Sequence, residues 1–156
     1  MSQLSYYLEL TKPRITTLVL VMTALGFYLG ADGQMSLLKM MWTLLGTAMV
    51  SGGSAALNHY IERDVDALMQ RTSSRPLPSG DLTPSATLSF GFCLILFGQV
   101  LLVVTTNLLT AWLALLTAFL YVVIYTPMKR MTWLNTSLGA IPGALPPVGG
   151  WTAASG

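Results

Sequence analysis

The chain is short of charge. Of its 156 residues only 9% are Asp, Glu, Lys or Arg, against about a quarter in an average soluble domain. Fourteen charged side chains, eight basic and six acidic, cannot coat a core when 53% of residues are hydrophobic. An ordinary soluble globular domain is excluded, and so is a disordered segment. Lipid needs no polar cover and is the indicated solvent. The net charge of +2 is too small for a nucleic-acid footprint, so no nucleic-acid partner is expected. Cysteine is nearly absent. The single Cys93, between Phe92 and Leu94, removes any disulfide framework or Cys-based metal site and reads as a buried or lipid-facing filler.

What the chain does have is long apolar runs. Five, at about 15–31, 37–57, 86–105, 108–125 and 135–151, approach the roughly 20 residues a helix needs to cross the hydrocarbon. The first follows Lys12 and Arg14 as a secretory signal would, but it sits at the upper length limit for one and four more runs follow, so it reads as a true span. Thr83 before Pro84 marks a helix start, the hydroxyl capping and the proline at the first helical position. With the N-terminus cytoplasmic, Lys12, Arg14, Arg63, Arg71, Arg75, Lys129 and Arg130 all lie inside and only Lys39 outside, which is the positive-inside arrangement. No Arg-rich, acid-poor transit segment precedes Lys12, so a bacterial cytoplasmic membrane is expected rather than a mitochondrial one.

One inner connection, 58–85, is long and charged, and such loops usually carry function. On a helix, Asn58, Glu62 and Asp66 are successive i, i+4 positions drifting about 40° per step, so they share a face over about 12 Å of rise. Asp64 points elsewhere. An amide and two carboxylates are hard oxygen ligands suited to Mg²⁺, whose remaining positions take water and phosphate oxygens. Arg71 and Arg75 lie just beyond, with forked donors that match phosphate. A metal-diphosphate site at the mouth of an apolar helical bundle is thereby indicated, fitting a substrate with a diphosphate head and a hydrocarbon tail. Spacing alone leaves open a solvated loop in which Glu62, Arg63 and Asp66 form weak helix pairs. It also leaves open a divalent-cation transporter, although the bilayer midplane holds no acids.

The Asn58-xxx-Glu62-xxx-Asp66 pattern, followed by Arg71-Thr72-Ser73-Ser74-Arg75-Pro76-Leu77-Pro78-Ser79-Gly80, resembles the first aspartate-rich motif of the UbiA-type intramembrane prenyltransferases. Two more stretches resemble the branch of that family that farnesylates protoheme IX. They are Leu10-Thr11-Lys12-Pro13-Arg14-Ile15, and the run from Tyr125-Thr126-Pro127-Met128-Lys129-Arg130 through Asn135-Thr136 to Gly143-Ala144-Leu145-Pro146-Pro147-Val148-Gly149-Gly150-Trp151. The resemblance implies an all-α, multi-pass transmembrane bundle, of which these residues are the N-terminal part, five spans of about nine. It implies Mg²⁺-assisted transfer of farnesyl from farnesyl diphosphate to a vinyl group of heme B, with water adding to give heme O. Heme B is then a substrate rather than a cofactor, and heme-pathway or terminal-oxidase assembly proteins are implied partners. Asn58, Glu62 and Asp66 match the metal and diphosphate residues, and Arg71, Arg75 and Lys129 are candidate diphosphate contacts. Glu62 stands where Asp is commoner. The second aspartate-rich motif of the family does not occur within the chain, so these residues alone are expected to be inactive or nearly so.

Two rival readings remain: a family member using another aromatic acceptor, and a non-catalytic membrane subunit. His59, the single histidine, reads as a polar interfacial residue rather than a heme ligand. Gly26-xxx-Gly30 and Gly139-xxx-Gly143 read as close helix contacts. Pro142, Pro146 and Pro147 are expected to bend or interrupt the fifth span. Trp42, Trp112, Trp133 and Trp151 fit interfacial anchors, and Tyr121 and Tyr125 fit core packing better than a substrate path.

Overall fold

The computed structural model describes residues 2–129, 131 and 133–156. Arg130, used above for orientation, lies outside the described residues. Among the described residues there are helices and turns and no strands. The elements are α1 (Gln3–Leu10), α2 (Pro13–Gly30), α3 (Leu37–Asp66), α4 (Pro84–Thr105), α5 (Leu108–Phe119), a π-helical segment (Leu120–Tyr125), α6 (Thr126–Met128) and α7 (Asn135–Ser155). By length and composition α2, α3, α4 and the continuous stretch Leu108–Met128 can each cross a membrane. The fifth expected span corresponds to the 21-residue helix α7, which is not among the four that length and composition qualify to cross a membrane.

Local chemistry sets most of the helix starts. Side-chain oxygens of Ser36, Thr83 and Asn107 accept from the backbone N–H of Lys39, Ala86 and Thr110, satisfying donors that the first turn leaves free. The expected Thr83-Pro84 start is therefore realised. Between α1 and α2, Lys12 takes a left-handed conformation, φ 49°, and Pro13 opens the new helix. That conformation is uncommon away from glycine. It separates a short helix lying on the outside from the first span and turns the Lys12 side chain inward.

The long helices form a closed ring in the order α4, α3, α2, α7, α5 and back to α4. The closest seams are made of glycine. A Cβ on Gly53 of α3 would stand 2.6 Å from the Gly91 carbonyl oxygen of α4, and one on Gly98 of α4 would stand 2.9 Å from the Gly46 carbonyl. On the other side, Gly26 and Gly30 of α2 meet the backbone at Pro147 and Trp151, and Gly150 of α7 meets the Thr23 carbonyl. Lipid supplies no hydrophobic drive between helices, so close backbone approach is a principal source of association. The Gly26-xxx-Gly30 expectation is met. Gly143 differs, because nothing lies within 4 Å of its hypothetical Cβ. It borders a cavity instead of a helix.

The helix carrying the second apolar run continues to Asp66, as the shared face of Asn58, Glu62 and Asp66 requires, which leaves 67–83 as the non-helical part of the 58–85 connection. Two further expectations need adjustment. The fifth expected span is not interrupted, since α7 is continuous through Pro142, Pro146 and Pro147. Each proline removes one backbone donor and its bond to the carbonyl four residues earlier, and the small neighbours let the helix carry that loss. Tyr121 and Tyr125 stack with ring centroids 5.9 Å apart but face the central cavity rather than a packed core.

Outward faces fit a lipid surround. Trp42, Trp112, Trp133 and Trp151 are exposed, as is Cys93, which is the lipid-facing alternative of its expected roles. Replacing Gly26 or Gly150 by Leu is expected to cost about 3 kcal/mol or more, because backbone on the facing helix must move. Gly143→Ala is expected to be neutral or slightly stabilising through helix propensity. Thermal denaturation in detergent, followed by monodispersity, checks both.

Candidate functional site

The extended end of α3 presents Asn58, Glu62 and Asp66 on one face, as the spacing requires. All three are buried, at 1%, 4% and 5% exposure. Buried polar and charged groups need partners, and each finds one on a different segment. Asn58 Oδ1 accepts from the Lys12 ammonium at the N-cap of α2, and Asn58 Nδ2 donates to Thr126 Oγ1 at 3.1 Å. Glu62 forms an ion pair with Lys129 just after α6. Asp66 Oδ2 accepts from Arg75 Nη1 at 2.6 Å.

The 67–83 connection is built to hold Arg75 there. Thr72 Oγ1 donates to the Asp66 carbonyl at 2.9 Å, tying the loop to the end of α3. Leu77 and Leu82 then pack with Leu10 and Ala56, flanked by Tyr6, Tyr7, Tyr60 and Phe90. The Arg-Pro-Leu-Pro run thus anchors the loop between α1 and α3. Arg71 precedes these anchors and is exposed; no described hydrogen bond or ion pair brings it to Asn58, Glu62 or Asp66. Arg63 turns aside as well, its guanidinium 4.6 Å over the Tyr60 ring and 3.5 Å from exposed Asp64. The weak Glu62–Arg63–Asp66 pairing left open by the spacing is not what forms.

Below this polar mouth the ring encloses a cavity of about 490 Å³ walled by α2, α3, α5, the π segment and α7. Lys12, Tyr121 and Tyr125 stand at its polar end, and Thr23, Thr110 and Pro146 line it further in. Among the described residues Lys12 is the one cationic side chain in the wall. Its ammonium also lies 3.5 Å from the Tyr121 hydroxyl, and its pKa is lowered to about 8, first by burial and then by repulsion from Arg75. Sequence reasoning used Lys12 for orientation and as part of a resemblance and did not place it in the site. The signal available was its proline-locked position at the mouth of the first span.

Wall hydroxyls spend their protons on nearby backbone. Thr23 donates to the Val19 carbonyl at 2.9 Å, Ser54 to Val50 at 2.7 Å and Thr117 to Leu113 at 2.7 Å. At these positions the chamber offers a hydrocarbon chain no free hydroxyl donor. His59 is buried at 3% exposure, not interfacial as expected, and neither ring nitrogen has a hydrogen-bond partner among the described residues.

The donor set fits a hard divalent cation of a particular kind. Among the described residues no three His, Cys, Asp or Glu side chains cluster into a self-sufficient metal site. Two carboxylates and an amide, each already drawing a positive group, suit an ion that completes its shell with water and phosphate oxygens.

The sequence matches the UbiA prenyltransferase family over residues 19–156. The protoheme IX farnesyltransferase of Solibacter usitatus is 45% identical, the match covering 96% of this chain and 54% of that protein. That of Aquifex aeolicus is 46% identical, with 96% and 52% covered. The chain spans about half the length of these curated relatives. A solved structure of a digeranylgeranylglyceryl phosphate synthase superposes with a TM-score of 0.75 over 93% of this chain and 54% of that one, at 20% identity, a likeness of fold. The sequence match runs from the first membrane helix through the whole motif segment to the last residue, and the chain belongs to the UbiA prenyltransferase family.

Proposed function

We propose that the protein transfers a farnesyl group from farnesyl diphosphate to a vinyl group of heme B, forming heme O, with the diphosphate held at the polar mouth and the isoprenoid in the cavity. The observation that carries the diphosphate site is the convergence of Lys12, Arg75 and Lys129 on buried Asn58, Glu62 and Asp66. Choice of acceptor and donor chain follows from the relatives' names. In this reading Asn58, Glu62 and Asp66 hold Mg²⁺, which when bound would neutralise charge on the departing diphosphate. Lys129, Arg75 and Lys12 exchange their present partners for phosphate oxygens. Arg71, out at the surface, adds little.

Lys12 is the cation at the boundary between mouth and cavity, where the allylic C1–O bond of a tail-inward substrate must lie. Its ammonium donates to the bridging oxygen as that bond breaks and the electron pair goes to the diphosphate. The vinyl carbon of the acceptor captures the allylic cation, and water then adds to the vinyl-derived cation with loss of a proton. Committed wall hydroxyls and an apolar lining protect the cation from early quenching.

We place the protein in a bacterial cytoplasmic membrane with the site facing the cytoplasm, since the basic residues gather at the site end. Heme-pathway or terminal-oxidase assembly proteins are its proposed partners. We also propose that these 156 residues form the N-terminal part of one prenyltransferase domain, consistent with the half-length coverage of relatives. One bank of ligands does not enclose both substrates, so the purified chain is expected to bind diphosphate with little turnover; farnesylation by it alone would overturn this.

Native membranes given farnesyl diphosphate, Mg²⁺ and heme B are expected to form heme O, whereas exclusive prenylation of 4-hydroxybenzoate would assign a different acceptor. In the chain itself, Asn58→Ala and Asp66→Ala are each expected to weaken Mg²⁺-dependent pyrophosphate binding about 10–100-fold. Arg75→Ala should weaken it severalfold through loss of a charge-assisted contact, while Arg71→Ala leaves it within about twofold, as a surface charge would. Unchanged binding in both Asn58→Ala and Asp66→Ala would sink the site and favour a non-catalytic membrane subunit. Calorimetry in nanodiscs reads all four.

A further inference from the structure

We propose that Thr126 is a positioning residue that fixes which end of the Asn58 amide faces the diphosphate site. The inference rests on the reading of Asn58 as a ligand residue given above. Thr126 is 1% exposed and stands at the C-terminal end of the π segment. Its backbone N–H bonds to the Tyr121 carbonyl, five residues back, and its hydroxyl donates to that same oxygen at 2.8 Å. A threonine hydroxyl has one proton. With that proton committed to Tyr121, Oγ1 can only accept from Asn58, so the group it meets must be the Nδ2 amide.

The other end of the amide is then decided. Oδ1 faces the Lys12 ammonium, which has donors and no acceptor, so both partners demand the same orientation. Rotated by 180°, the amide would set its NH₂ against an ammonium or a metal ion, and its oxygen against a hydroxyl lone pair. Asn58 is thereby pre-oriented with its oxygen toward positive charge. A symmetric carboxylate would not need this device; an amide does.

The π segment is what makes the arrangement possible. A π turn holds extra chain per turn relative to the α-helix, and one inserted residue changes the direction of every following side chain by about 100°. The i to i−5 bonding at Tyr121 carries Thr126 to the α3 side, over Asn58. The same segment puts Tyr121 and Tyr125 in the cavity wall, so one irregularity serves both the mouth and the chamber.

Two variants and two measurements test this on the full chain in nanodiscs. Thr126→Val keeps the shape and removes the hydroxyl; Thr126→Ser keeps the hydroxyl. The first measurement is deuterium exchange of the Asn58 side-chain amide in ¹⁵N-asparagine-labelled protein, its resonance identified by its loss in Asn58→Ala. Exchange is expected to quicken at least about tenfold in Thr126→Val, as for loss of a buried hydrogen bond, and to stay near wild type in Thr126→Ser. The second is pyrophosphate affinity in Mg²⁺. Thr126→Val is expected to weaken it about tenfold, Thr126→Ser to retain it, and Thr126→Val to cause no further loss in an Asn58→Ala background. Unchanged amide exchange in Thr126→Val would overturn the inference, as would a loss of affinity that adds in full to that of Asn58→Ala, the mark of a general structural defect. A wild-type chain without Mg²⁺-dependent pyrophosphate binding would overturn the diphosphate reading instead, and the amide exchange results would tell that failure apart.

Discussion

A buried strip of polar side chains at a membrane edge has to be neutralised by something, and the arrangement of this molecule follows from how it is done. Asn58, Glu62 and Asp66 lie almost wholly out of water, where an unpaired carboxylate costs about 3–5 kcal/mol. Their partners come from the N-cap of α2, the connection after α3, and the end of the fourth long helix. Those segments are far apart along the chain. Pairing draws this end of the ring together, and in doing so collects Lys12, Arg75 and Lys129 around one polar mouth. In the proposed function the cations of these pairs are the groups that turn to the substrate.

The ring beneath is held open and closed by the same residue type. Glycine at the α3–α4 and α2–α7 seams lets backbones approach until little room is left for a side chain. Such contact gives tight walls without bulky side chains projecting inward. Pro142, Gly143 and Pro146 of α7 then face the inner side, where the cavity lies. The Thr23, Ser54 and Thr117 hydroxyls in that wall donate to nearby backbone carbonyls, so they add little polarity to the chamber. Polarity is concentrated at the mouth.

Much of this was legible from the chain alone. The apolar runs at the first four spans, the Thr83-Pro84 start and the shared face of Asn58, Glu62 and Asp66 all follow from short-range periodicity and capping, which the structure keeps. Arg75 and Arg71 could not be separated, because four residues apart in a loop says nothing about which one the anchors Leu77 and Leu82 will turn inward. Tyr121 and Tyr125 were read as core because i, i+4 aromatics usually are, and a π turn leaves no mark in a hydrophobic pattern. His59 looked interfacial from its neighbours in sequence, whereas tertiary packing leaves it 3% exposed. Lys12 looked like an orientation signal because its left-handed backbone and its contact with Asn58 appear only once α2 stands against α3.

By itself the sequence determined the solvent, the helical class and the row of oxygen-bearing side chains at Asn58, Glu62 and Asp66, since hydropathy, capping and a 3.6-residue repeat act over a few turns. The tertiary structure alone decided which cation meets which oxygen, which way the Asn58 amide faces and where the cavity opens. Those outcomes depend on contacts between residues as distant in sequence as Lys12 and Tyr121 or Thr23 and Gly150, and no local rule reaches that far.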